Sequence, residues 1–369
     1  MTPFLKDIHD TIMAYGGLFN AHLHLDRAGT YHATVDIFRN KGVADGTALP
    51  LSGKHAIIPA IHASACYDPS ELYSRANGFL KDMIAVGTTR ADTVVDTTTD
   101  RVGLTALETF ARLKSDHKDA IDLRFGAYSP AGFRDDEPAR WALIEEGAEM
   151  ADFIGLLPER DDTNDYPQHI GFENSCIKGI ELAHRLGKAI HIHVDQANHV
   201  HENGSELVAR IVRDMGLTIP IGAEPFIWLT HVISPSAYSE ARFAALAQDL
   251  ASLNIGVVCC PAAAISMRQY RGFISPTHNS IARVLDLVVA GVQVRIGSDN
   301  VCDITSPMGT PNLMDEVRVL ADALRYYDID FLARIAAGKP IDEPGLERLR
   351  AHLKVDRDVT ENIVSRFQG

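Results

Sequence analysis

Short runs of β-branched and apolar residues alternate with longer amphipathic stretches along most of this chain. That rhythm restricts the fold more than any other feature. Runs near residues 17–24, 88–95, 121–128, 152–158, 188–195, 226–232, 255–261 and 293–299 read as strands. Between them lie segments such as SELYSRANGFLKDMIAVG, GLTALETFARLKSD, CIKGIELAHRLG and ARFAALAQDLASLN, where apolar residues recur at three- and four-residue spacing. Gly87, Gly187, Gly216 and Gly291 stand where helices stop just before the next strand. Strands joined through helices imply a parallel sheet, because parallel neighbours need a crossover. Eight such units close most economically into an α/β fold, a single (β/α)8 TIM barrel. An open doubly wound sheet is the competitor. No GxGxxG or GxxxxGK[ST] follows the first strand, which removes the main reason to prefer a nucleotide-binding open sheet.

All 369 residues are read as one such unit. Residues 28–68 read as a long loop after the first strand that folds over the site, and residues 328–369 as a helical C-terminal tail. A formal charge of −14 argues against nucleic acid and acidic membrane surfaces, since both need clustered Lys and Arg. No uninterrupted apolar run is long enough to cross a bilayer. The start, MTPFLKDIHD, has no basic stretch followed by an apolar core, and the 5 cysteines form no CxxC pair. The expected location is cytoplasmic and the expected partner a small-molecule substrate.

In a barrel of this kind, chemistry comes from the C-terminal ends of the strands and the loops after them. The first strand ends in AHLHLD, so His22 and His24, two residues apart, point to the same side. The fifth ends in HIHVDQ with His193, the sixth in LTH with His231, and the eighth in IGSDN with Asp299. Four histidines and an aspartate therefore meet at one mouth. Neutral imidazole and carboxylate are the ligands that zinc or ferrous iron prefers. His191 also points inward by alternation and reads as a supporting residue beneath the cluster.

HxH on the first strand, His on the fifth and sixth and Asp on the eighth resemble the amidohydrolase superfamily, and most closely its cytosine deaminase-like branch. AHLHLD is similar to that branch's HxHLD start, HVDQ to its HxDE, and GSDNVCDITSPMGTPNLM to its eighth-strand segment. The resemblance spans roughly residues 17–325. It implies that His22, His24, His193 and Asp299 hold one divalent ion, Zn or Fe. His231 would contact the attacking water or the substrate oxyanion, or ligate directly. Asp299 would act as general base and acid, and the ion would lower the pKa of its water to near neutrality. Two-metal members bridge their ions with a strand-end lysine; the third and fourth strands end AYSP and LLPER, so a mononuclear site is expected.

The chain also departs from the branch. Where its deaminases carry a proton-donating Glu three residues after the fifth-strand histidine, this chain has Gln196, and an amide cannot shuttle a proton. Glu159 or Arg160, at the end of the fourth strand, stand as substitutes, or Asp299 serves alone. The AYSPAG segment lacks the Gln with which cytosine deaminases hold the pyrimidine. The small β-sandwich usual in the family is not visible, and dimerisation would cover the surface it leaves. Asn300 and Met308 are further substrate-contact candidates, with Asn312 beside them. Asp26 and Arg27 read as a buried ion pair orienting the ligands. His199 and His201, in NHVHENG, read as a solvated loop. The reading is hydrolysis of a non-peptide C–N bond in a small nitrogen heterocycle or cyclic amide. The alternatives are a deaminase releasing ammonia or an amine, and a non-catalytic small-molecule-binding relative marked by Gln196.

Overall fold

The computed structural model describes residues 1–40, 51–217, 220–267, 272 and 280–365. Eight parallel strands run in the order β1 to β8: Leu18–Leu23, Thr88–Asp96, Asp122–Tyr128, Phe153–Leu156, Ala189–Val194, Ile227–His231, Gly256–Cys259 and Val294–Ile296. Each falls inside or within a residue of a run read from the sequence. The helices that return the chain are α5 (Pro69–Ala85), α6 (Thr105–His117), α7 (Ala139–Met150), α8 (Phe172–Leu186), α9 (Gly204–Asp214), α10 (Glu240–Ser252), the short α11 (Pro261–Ser266) with α12 (Val284–Val289), and α13 (Leu313–Leu324). At the C-terminus of α8, Gly187 is left-handed (φ 63°), the conformation that lets a helix stop there without a Cβ clash.

The segment expected as a long loop carries three helices instead: α2 (Tyr31–Asn40), α3 (Leu51–His55) and α4 (Ile58–His62). Their apolar residues pack them down, with Ile58 and Ile61 buried. Part of that expectation, residues 41–50, lies outside the described residues. Towards the C-terminus, α14 (Ile329–Ala336) buries Phe331, Leu332 and Ile335, whereas α15 (Glu343–Ser365) buries only Gly345 and Leu349. Before β1, α1 (Pro3–Ala14) buries Ile8 and Ile12 in the same cluster as the α14 residues. Among the described residues the eight-stranded sheet stands alone, and no helix is long and apolar enough to cross a membrane.

Inside the barrel the floor is cationic and aromatic. The Arg90 guanidinium lies 4.1 Å from the Phe19 ring, and that of Arg295 lies 4.0 Å from Trp228. Asp92, buried, balances them through Arg90 (3.1 Å). Trp228 therefore packs in the interior, below the chemistry.

Strand β1 changes frame part-way. Phe19 and Ala21 join the interior cluster with Trp228, while His22 and His24 also face inward. The pairing explains this: Asn20 is opposite Ala91 but Leu23 is opposite Thr93, so three steps on β1 match two on β2. One extra residue, a β-bulge, turns the strand's inward face from odd to even positions.

The barrel closes where β8 meets β1. Asp299 N donates to His22 O (3.0 Å) and His24 N donates to Asp299 O (3.2 Å). Gly297 permits that approach, because a Cβ there would stand 2.5 Å from His22 O and 2.7 Å from His22 N. Gly297→Ala is expected to cost about 1–3 kcal/mol through overpacking against backbone that cannot move aside. Thermal melts would show the loss, and retention of wild-type stability would mean the seam is softer than its geometry indicates.

Candidate active site

The histidines converge at the C-terminal mouth. His22, His24 and His193 each offer a ring nitrogen within 4.8 Å of the others. His22 Nε2 and His193 Nε2 are 3.1 Å apart, near the spacing of about 3.3 Å that two nitrogens take around an ion with bonds of about 2.0–2.1 Å. His193 Nδ1 donates to the Leu156 carbonyl at 3.0 Å, which fixes the tautomer and leaves the Nε2 lone pair facing the cluster. Asp299 joins from the seam, with Oδ1 at 3.4 Å from His24 Nε2 and 3.9 Å from His22 Nε2, and Oδ2 at 4.0 Å from His231 Nε2.

His231 reaches the cluster by a backbone device. Its ladder partner Val194 packs in the outer core, so strict alternation would carry His231 outward. Left-handed backbone at His231 (φ 84°) and Val232 (φ 50°) turns the ring back to within 5.5 Å of His193, centroid to centroid. Asp299 is left-handed as well (φ 58°). Such conformations are costly for non-glycine residues and concentrate at functional sites.

Burial first, and the neighbouring imidazoles second, hold His22 well below the usual histidine range; burial and then Arg27 do the same for His24. His231 is lowered likewise by burial, and His193 falls to about 4. All four are neutral at pH 7, the state in which imidazole ligates. Burial and then Asp303 push the Asp299 carboxyl up to about 7. A divalent cation among the imidazoles would pull it back down. Neutral donors, a converging lone pair and a carboxylate fit a zinc- or iron-type ion.

The supporting shell differs from the expected Asp26–Arg27 pair. Arg27 grips Asp96, at the end of β2, with two hydrogen bonds (Nε 2.8 Å, Nη2 2.5 Å), because its guanidinium points across to that strand. Asp26 instead accepts from the Asp96 backbone N–H and from Tyr67 (both 2.9 Å). His62 bridges Asp96 (3.0 Å) and Asp100 (2.6 Å). His191 is buried one layer down, its ring 4.4 Å from that of Phe153.

The other candidates scatter. Gln196 donates to Glu159 Oε2 at 2.8 Å, so these two do stand together. The Arg160 guanidinium stacks on Tyr166 at 4.1 Å. Asn300 holds Asp303 at 2.5 Å and so shapes the loop after β8. Met308 is 89 % exposed, so the chain does not bring it to the pocket. Asn312 caps α13, accepting from Met314 N at 3.1 Å. His199 and His201, expected in a solvated loop, line a cavity of about 430 Å³ with Glu159 and His55. Sequence reasoning missed His55, His62, Tyr67, Asp96 and Tyr128. Asp96 and Tyr128 end their strands and were open to the same strand-end inspection; the other three sit on the inserted segment, which has no such register.

The model of the amidohydrolase family matches residues 13–333. The chain belongs to the amidohydrolase family. Membership makes it a hydrolase of C–N bonds other than peptide bonds. An uncharacterized protein of Haemophilus influenzae is 28% identical over 289 residues, 77% of this chain and 95% of that one. Among solved structures, 5-methylcytosine deaminase from Klebsiella pneumoniae liganded with 5-fluorocytosine is similar at TM-score 0.73 and 22% identity, over 87% of this chain and 72% of that one. N-isopropylammelide isopropylaminohydrolase from Burkholderia multivorans gives TM-score 0.62 at 19% identity, over 91% and 82%. Atrazine chlorohydrolase from Arthrobacter aurescens complexed with zinc gives 0.55 at 15%, over 87% and 69%.

The shell yields a stability prediction. Burial opposes charge on His62, yet its hydrogen bonds to Asp100 and Asp96 prevail and raise it from 6.5 to about 9. A raised histidine pKa contributes stability in full below pH 6.5, and that contribution disappears as pH rises through 9. Denaturation of wild type should therefore show a decline of about 3 kcal/mol across that window. His62→Gln should flatten it; an unchanged slope would mean that His62 is not the titrating group.

Proposed function

We propose that this amidohydrolase opens an amide or ring C–N bond of a small nitrogen heterocycle or cyclic amide, using one zinc or iron ion held by His22, His24, His193 and Asp299. The observation that carries the reading is the convergence of neutral imidazoles on Asp299 at the barrel mouth. An ion bound there supplies an acidified water and polarises the carbon to be attacked.

The chain's own residues supply the rest. Asp299 takes a proton from the attacking water and returns one to the departing nitrogen, so that a lactam becomes a carboxylate and an amine. Its position between His24 and His231 keeps one oxygen towards the ligands and the other towards the reacting group. His231, held by its left-handed backbone, faces the developing oxyanion and stabilises it. His193 is kept in its ligating tautomer by Leu156 O. Gln196 orients Glu159 through its amide, and both face the substrate, with Arg160 beside them.

Deamination is the second reading, favoured by one observation. The Glu159 carboxyl lies against Gln196, where the deaminase branch has its proton donor. Burial, then the charge of Asp195, push it up to about 8. A carboxyl with that value is protonated at neutral pH and able to deliver a proton to a ring nitrogen.

Elemental mass spectrometry of purified wild type should find about one zinc or iron per chain, with the content lost in His193→Ala. Asp299→Asn should lower kcat by roughly 10²–10⁴-fold, the range for a general base. A wild type that stays metal-free after reconstitution overturns the reading. The product separates the two chemistries. Carboxylate release with full activity in Glu159→Gln supports ring or amide opening. Ammonia release, lost in Glu159→Gln and falling in wild type as pH rises through about 8, supports deamination.

A further inference from the structure

We propose that the wall formed by the ends of β2, β3 and β4 carries a subsite for a carboxylate arm of the substrate, held by Arg160, Ser129 and His55. The proposal rests on the hydrolase reading and narrows its substrate class to heterocycles or cyclic amides that bear a carboxylate.

A cavity of about 320 Å³ lies against this wall, lined by Thr97, Ser129, Arg160 and, from α3, His55. Thr97 directly follows Asp96. Ser129 directly follows Tyr128, whose ring is 5.2 Å from that of His193. The strands that line the cavity therefore lie between the histidine-bearing β1 and β5 in the sheet. His55 and Arg160 also line the larger cavity that contains Glu159, so they stand between the two spaces.

What distinguishes these three side chains is that, among the described residues, nothing accepts from their side-chain donors. Arg27, Arg90, Arg140 and Arg295 each have a carboxylate partner. Arg160 has none among the described residues; its Nε is buried without a hydrogen bond, and its face rests on Tyr166 at 4.1 Å. Stacking fixes the plane of the guanidinium and leaves its N–H edge for a ligand. Ser129 is only 5 % exposed, and its hydroxyl makes no hydrogen bond among the described residues. The His55 ring likewise has no hydrogen-bond partner among them.

The charged groups that could compete are already engaged. Asp100 accepts from His62 (2.6 Å), Thr98 (2.8 Å) and Val102 N (3.0 Å). Arg140 is tied to Glu137 (2.6 Å) and to Ala131 O (3.1 Å). The cavity thus offers a guanidinium, a hydroxyl and an imidazole N–H with no acceptor of their own among the described residues. A planar carboxylate accepts from all three and matches the guanidinium fork in both oxygens.

Isothermal titration calorimetry on the zinc-loaded protein tests this with matched pairs in which one member bears a carboxylate arm: uracil against orotate, which adds a carboxylate, and hydantoin against hydantoin-5-acetate, which adds a carboxymethyl group. The carboxylated member of at least one pair should bind about tenfold tighter or more, in line with a hydrogen bond to a charged group. Arg160→Met should erase that advantage, weakening the carboxylated member more than the neutral one, and Arg160→Lys should restore part of it. Ser129→Ala and His55→Gln should each reduce it. No advantage in either pair, or an advantage that survives Arg160→Met, overturns the subsite. Failure of the hydrolase reading would look different: no bound ion or no C–N cleavage, with the carboxylate advantage intact.

Discussion

The seam between β8 and β1 is the contact on which the rest of the molecule depends. The same residues that close the barrel form the imidazole and carboxylate cluster at its mouth: the backbones of His22, His24 and Asp299 bond to one another across the gap. Closure fixes the ligands relative to one another before any side chain is considered. A parallel sheet left open at this edge would expose unpaired N–H and C=O groups and would separate Asp299 from the two β1 histidines. Folding and assembly of the site are therefore one event.

Around that seam the protein places costly features where they hold a ring or a carboxylate still. Left-handed backbone at His231 and Asp299 and a buried network through Arg27, Asp96 and His62 all lie at the mouth. The network keeps a full positive charge close to His24 and so adds to the burial that keeps its imidazole neutral. Below it, the aromatic and arginine floor needs no ligand, and its order is a matter of packing and internal charge balance.

Much of this was legible in the sequence. The eight strands were visible because the alternation of apolar runs with amphipathic stretches depends only on local periodicity. The residues of the cluster were visible because chemistry in a barrel comes from strand ends, so His22, His193 and Asp299 could be picked out by position alone. Three things were hidden for physical reasons. Arg27 chooses Asp96 over its chain neighbour Asp26 through a contact between strands that no spacing encodes. Residues 28–68 were read as loop because their helices are short and their apolar periodicity spans too few turns to register. Met308 was assigned to the pocket from motif position, but the turn after β8, tied down by Asp303, directs it to solvent.

The extra residue in β1 has a further consequence. Below the bulge the strand obeys the packing of the floor, with Phe19 and Ala21 inward; above it the strand obeys the chemistry, with His22 and His24 inward. One strand thus runs in two reading frames, and the switch between them is a single residue of length. Substitutions in the floor leave the frame of the histidines alone. A one-residue deletion between Phe19 and His22 would take out the bulge and restore strict alternation: His22 and His24 would still face inward, but one inward position of the floor would be lost, so the extra residue is what lets floor and histidines share one strand.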